Sequence, residues 1–226
     1  MGLDMYLERM PRYKGTTASK VCKIDRYLQY EEDCKNSDSN AKNYSMEEWC
    51  GVSVNDISPE LLEFYKPFNT LKYYSWDAEK KYGHYGIIEH LADWRKANAI
   101  HDWFVNHVQD GEDDCEYHNE VTKEILEELL KTCETVLNAS ELVDGKIKNG
   151  ERYENGKWTV CMEDGKYIKD PSVAKELLPT TSGFFFGGTD YDEWYYDQIE
   201  YTVNVIKRVL ETTDFETQMI YYCSSW

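Results

Sequence analysis

Three long segments space their apolar side chains at intervals of three and four residues, and a β-prone stretch rich in turn signals separates the second from the third. From about Gly86 to Gln109 the set is Ile87, Leu91, Trp94, Ala97, Ile100, Phe104 and Val108. From Val121 to Leu137 it is Ile125, Leu129, Leu130, Cys133, Val136 and Leu137, and from Asp190 to Glu211 it is Tyr195, Ile199, Thr202, Ile206 and Val209. That period gives each of three helices one apolar stripe to bury. The intervening "NGERYENGKWTVCMEDGKY" carries two Asn-Gly and one Asp-Gly dipeptide around a β-prone run, which predicts a hairpin insertion within residues 142–170. Both chain ends are β-prone as well. Leu3, Met5 and Leu7 alternate with Asp4, Tyr6 and Glu8 up to Pro11, and the far end reads "TQMIYYCSSW". The expectation is a single α+β domain over residues 1–226. Its small antiparallel or mixed sheet includes both termini as neighbouring strands and packs on the three helices.

Shorter signals fill in the first half. "SMEE" at Ser45–Glu48 has capping-box spacing, and "SPELLEFY" places Ser58 at an N-cap with Pro59 at the first helical position. Residues 33–45, "DCKNSDSNAKNYS", lack apolar periodicity and predict an exposed loop. Before the third long helix, Gly187 and Gly188 precede Thr189 and Asp190, one of which is expected to cap it; the preceding Phe run is expected in the core.

Charge narrows the function classes. The formal net charge is −18, with 25 Lys and Arg against 43 Asp and Glu, and residues 1–45 hold eight bases and seven acids, so the acidity belongs to the rest of the chain. A surface of that sign repels phosphate backbones, so direct nucleic-acid binding is not expected. There is neither a long apolar run nor an apolar leader behind the start, so the expectation is a cytosolic protein without a membrane partner. Cys22, Cys34, Cys50, Cys115, Cys133, Cys161 and Cys223 are scattered without a C-x-x-C pair, which fits reduced thiols. No glycine-rich phosphate loop occurs, and no cofactor is expected. With 19 Tyr and 7 Trp, contact surfaces as well as core are expected to be aromatic.

Candidate site residues concentrate in "DWRKANAIHDWFVNHVQDGEDDC", Asp93 to Cys115. Arg95, Asn98, His101 and Asp102 follow helical spacing and form a polar stripe, readable as a small-ligand site or as a polar seam between loops. His107, Asp113, Asp114 and His118 are an inventory that a divalent cation accepts, but the spacing matches no established ligand pattern, and no tightly bound metal is expected. A Cys115 nucleophile would lack an orienting group. From Asp110 to Glu128 nine acids (Asp110, Glu112, Asp113, Asp114, Glu116, Glu120, Glu124, Glu127, Glu128) face Lys123 alone. Such a run is a solvated face or a surface that imitates spaced phosphates for a basic partner. Trp194, Tyr195 and Tyr196 are consecutive and cannot all point inward, which makes Trp194 a candidate contact residue.

"GLDMYL" at the start, "WRKANAIHDWFV" followed by "DDC", "LLPTTSGFFFGGTDYDE" and the closing "SSW" together resemble a family of uncharacterised proteins encoded by phages and prophages of bacteria. The resemblance covers the chain ends and most of residues 90–212. Members sometimes carry the name phosphoglycerate kinase, which this chain contradicts by its length and its lack of a nucleotide loop. The resemblance implies a phage-derived genetic context, where small acidic proteins commonly bind and block host machinery, and with the charge it gives the expectation of an accessory protein in the bacterial host cytosol that binds and inhibits a host protein with a basic surface. An anti-defence, anti-CRISPR-like inhibitor that mimics nucleic acid is its sharpest form. The alternative is a small-anion or nucleotide-binding protein or hydrolase using Arg95, Asn98, His101 and Asp102, closed by Ser224, Ser225 and Trp226.

Overall fold

The computed structural model describes residues 2–36, 39–73, 84–115, 119–154, 156–183 and 185–226, and the protein is of the α+β class. A three-stranded sheet has the order β4-β1-β7, with β1 at Asp4–Pro11, β4 at Glu89–Arg95 and β7 at Gln218–Ser225. The first and last strands are therefore neighbours, as their alternation predicts. Leu3, Met5, Leu7, Met219, Ile220 and Tyr222 are fully buried or nearly so.

Residue contacts cluster into two units, one of residues 1–6, 92–213 and 222–226, the other of residues 7–91 and 214–221. In the second unit, helix α1 (Ala18–Lys35) buries Val21, Ile24 and Leu28, and Asp25 sits on the same stripe. The expected loop at 33–45 is corrected here: residues 33–35 continue α1, and Ala41, in a 3-10 turn at Ala41–Asn43, is fully buried. The carboxylate within the stripe disguises the helical period. Ser45 and Glu48 close a capping box on α2 (Met46–Cys50), and Ser58 precedes Pro59 at the start of α3 (Pro59–Tyr65). The short strands β2 (Leu71–Tyr73) and β3 (His84–Gly86) pair antiparallel.

The first unit holds helices α4 (Asn98–Val108), α5 (Lys123–Ala139) and α7 (Glu193–Thr212), with a short α6 (Ser172–Leu177). The helix expected from Gly86 to Gln109 is half strand. Residues 89–95 form β4, and Lys96, in the left-handed region at φ 59°, turns the chain into α4. Spacings of three and four among Ile87, Leu91 and Trp94 mimic a helix, but a place beside β1 supplies the strand with ladder partners. Helix α5 starts at Thr122, whose side chain accepts from Ile125 N, and buries Leu126, Leu129, Cys133 and Val136. Asp192, rather than Thr189 or Asp190, caps α7 by accepting from Tyr195 N at 3.1 Å. Strands β5 (Leu142–Glu154) and β6 (Lys157–Ile168) form the antiparallel hairpin, with an irregularity between Lys148 and Glu151. No helix is long and apolar enough to cross a membrane among the described residues. The seven cysteines are free thiols.

Candidate functional site

The polar stripe divides on folding. Asn98, buried in the first turn of α4, is a clamp: its Nδ2 donates to the carbonyls of Phe186 (3.0 Å) and Gly188 (2.8 Å), and its Oδ1 accepts from Thr181 N (3.0 Å). Arg95 lies on β4, is largely exposed and pairs with Asp4 at 3.8 Å. Arg95 and Asn98 line a cavity of about 430 Å³ with Lys96, Lys148, Asp190 and Trp194. His101 and Asp102 line another, of about 480 Å³, with Asn106, Asp113, Thr181, Ser182, Phe185, Phe186 and Trp226. The four residues thus do not form one ligand-binding set.

His101 belongs to the second cavity's wall. It is 2% exposed, its Nδ1 lies 2.7 Å from the Tyr222 hydroxyl, and its Nε2 lies 3.0 Å from Asp113 Oδ2. This buried nitrogen makes no hydrogen bond among the described residues. Burial, and after it the Asp113 charge, pushes the Tyr222 phenol well above its ordinary range, so it stays neutral. Asp113 reaches this place because Asp110 (φ 54°) and Gly111 (φ 81°) fold the chain back after α4, with Gly111 N bonding Val105 O at 2.9 Å. Trp226 Nε1 donates to Asp113 Oδ1 at 2.8 Å, and the Trp226 ring meets Phe186 at 6.3 Å. Phe186 in turn stands edge-on to His101 at 5.2 Å and folds over Gly183, where a Cβ would lie 2.5 Å from its ring. Phe185 and Phe186 are half-buried and not core, and Phe184 falls outside the described residues.

Every stretch that carries the resemblance reaches this cavity or its support. His101 and Asp102, Asp113, Phe186 and Trp226 line it, while Leu3 of the opening motif donates to Phe185 O and accepts from Lys96 N. Sequence reasoning singled out these residues separately. The pairing of Asp113 with His101 and Trp226 has no signal in their spacing.

Nδ1 of His101 engages the buried phenol of Tyr222, and Nε2 faces the Asp113 carboxylate. Among the described residues no group of three or more His, Cys, Asp or Glu is arranged to hold a metal ion. His107 stacks on Trp103 at 4.1 Å and bonds its carbonyl through Nδ1, and His118 lies outside the described residues. Cys115 is half-buried at φ 66°.

Of the nine acids, Asp113 points inward, Asp110, Glu112, Asp114, Glu124, Glu127 and Glu128 are exposed, Glu120 is half-buried and Glu116 lies outside the described residues. Trp194 is 65% exposed while Tyr195 is buried. The sequence reading missed the surface of the hairpin. Trp158 (68% exposed), Val160 and Met162 alternate along β6 and so share a face, and Tyr153 opposes Trp158 with ring centroids 5.2 Å apart. The alternating apolar run on β6 was a readable signal, but a hairpin face with those residues is ordinarily covered.

Compared with protein-family models, with curated proteins and with solved structures, the chain matches none.

Proposed function

We propose that this protein works by binding, as a phage or prophage accessory protein that docks on a basic host protein and inhibits it. The observation that carries this reading is the exposed stripe of Tyr153, Trp158, Val160 and Met162 on the β5-β6 hairpin. Amphipathic rings and a flexible thioether left in water serve a contact rather than a core. The stripe sits on a hairpin with five bases (Lys146, Lys148, Arg152, Lys157, Lys166) and five acids (Asp144, Glu151, Glu154, Glu163, Asp164) in a chain of net charge −18. A locally neutral apolar anchor inside an acidic field suits a basic partner: the field steers and the rings hold. The anti-defence role and the bacterial cytosol remain part of this proposal through the resemblance.

The test is capture of bacterial proteins on immobilised protein, followed by binding of the purified partner to wild type and to a Trp158→Ser/Met162→Ser variant. A basic partner whose activity is inhibited, and whose affinity falls at least tenfold in the variant, supports the reading. Equal binding by the variant, an acidic partner, or no capture at low or high salt sinks it.

A further inference from the structure

We infer that the cavity beneath Trp226 receives the cationic end of an arginine or lysine side chain from the partner. This rests on the proposed basic partner and names the group that is recognised. The walls carry two carboxylates, Asp102 and Asp113, and the rings of Phe185, Phe186 and Trp226, and among the described residues neither Lys nor Arg lines them. An anion entering here meets two like charges, and a neutral apolar group desolvates both carboxylates without compensation. An organic cation is attracted by the carboxylates and by the ring faces together.

A separate observation points the same way. Nε2 of His101 is buried and makes no hydrogen bond among the described residues although Asp113 Oδ2 is 3.0 Å away. Nε2 thus gives Oδ2 no hydrogen bond among the described residues, and this carboxylate oxygen stands on the cavity wall as an acceptor. An N–H group of the incoming cation donates to this oxygen, on the more exposed member of the pair. Asp113 does not have to be ordered at that moment, because Trp226 Nε1 already holds its Oδ1 at 2.8 Å. Asp102 is likewise steadied, by Asn106 Nδ2 at 3.1 Å.

The experiment follows the Trp226 indole N–H resonance by NMR, assigned with Trp226→Phe, during titration with N-acetyl-arginine amide, N-acetyl-lysine amide and neutral N-acetyl-norleucine amide. A saturable shift with either cation, at least tenfold weaker with norleucine and at least fivefold weaker in Asp113→Asn or Asp102→Asn, is expected. No saturation with either cation up to about 100 mM, equal binding of norleucine, or undiminished binding in both variants overturns the proposal. If Asp113→Asn fails to fold, Asp102→Asn decides alone. A glycine-flanked arginine pentapeptide should bind at least as well as agmatine; agmatine binding tenfold tighter makes this a free-amine site and overturns the assignment to a partner side chain. These titrations need no partner, so their failure with partner capture intact sinks the cavity assignment alone. Loss of capture with the titrations intact sinks the partner reading alone.

Discussion

Nδ1 of His101 lies 2.7 Å from the hydroxyl of Tyr222, joining a helix in the middle of the chain to the strand that ends it. Both residues are buried, and Tyr222 also stacks on Phe104 with centroids 4.1 Å apart. Tyr222→Phe keeps the stacking and leaves Nδ1 without this partner. It is expected to lose about 1–3 kcal/mol in urea unfolding, with part of the loss recovered by His101→Leu in the same chain. A Tyr222→Phe variant as stable as wild type contradicts the role given to this bond.

Asp25 predicts a pH dependence. Its carboxylate accepts from Ile87 N and Gln29 Nε2, each at 2.7 Å, yet burial outweighs those bonds and raises its pKa from 3.8 to about 6. The folded form thus holds a proton where the unfolded form has lost it, so this group's contribution to stability declines as pH rises from about 4 to about 6, then levels off. Asp25→Asn keeps the acceptor for Ile87 and removes the ionisation. Its stability relative to wild type should grow by about 2–3 kcal/mol across that window. Parallel unfolding curves at pH 4 and pH 7 with a constant difference would falsify the assignment.

Removing residues 219–226 should abolish cooperative unfolding. β7 is the neighbour of β1, and Met219 through Ser224 are all buried, so deletion strips ladder partners and core together. A sharp thermal transition in the truncated protein is the contrary result.

Charge reversal should act on association and not on folding. Glu112, Glu127 and Glu128 are exposed, and Glu127 engages Lys123 only loosely at 3.6 Å. Changing all three to Lys is expected to leave the melting temperature within a few degrees. The on-rate for a basic partner should fall about tenfold at low salt and much less at high salt. Asp113 does not belong in that set, since its carboxylate faces His101 and accepts from Trp226 Nε1. A salt-independent loss would place these acids in the contact itself.

The sequence by itself determined the α+β class, the sheet neighbours at the two ends, the second and third long helices, the hairpin and the capping box at Ser45. These follow from periodicity and turn chemistry, which act within a few residues of each position. Leu91 and Trp94 show where that locality fails: their spacing suits a helix, and a place beside β1 made them strand. Asp25 hid a helix by putting a carboxylate on its apolar stripe, to be satisfied by Ile87, 62 residues later. The cavity was decided wholly by tertiary structure. His101, Asp113, Phe186 and Trp226 were each noticeable, but the two groups that flank the buried His101 ring, Asp113 and Tyr222, are brought there by a left-handed turn and by the last strand. The division of the polar stripe has the same cause. Arg95 and Asn98 stand on either side of the strand-to-helix break at Lys96, and α4 carries His101 and Asp102 on to a different wall.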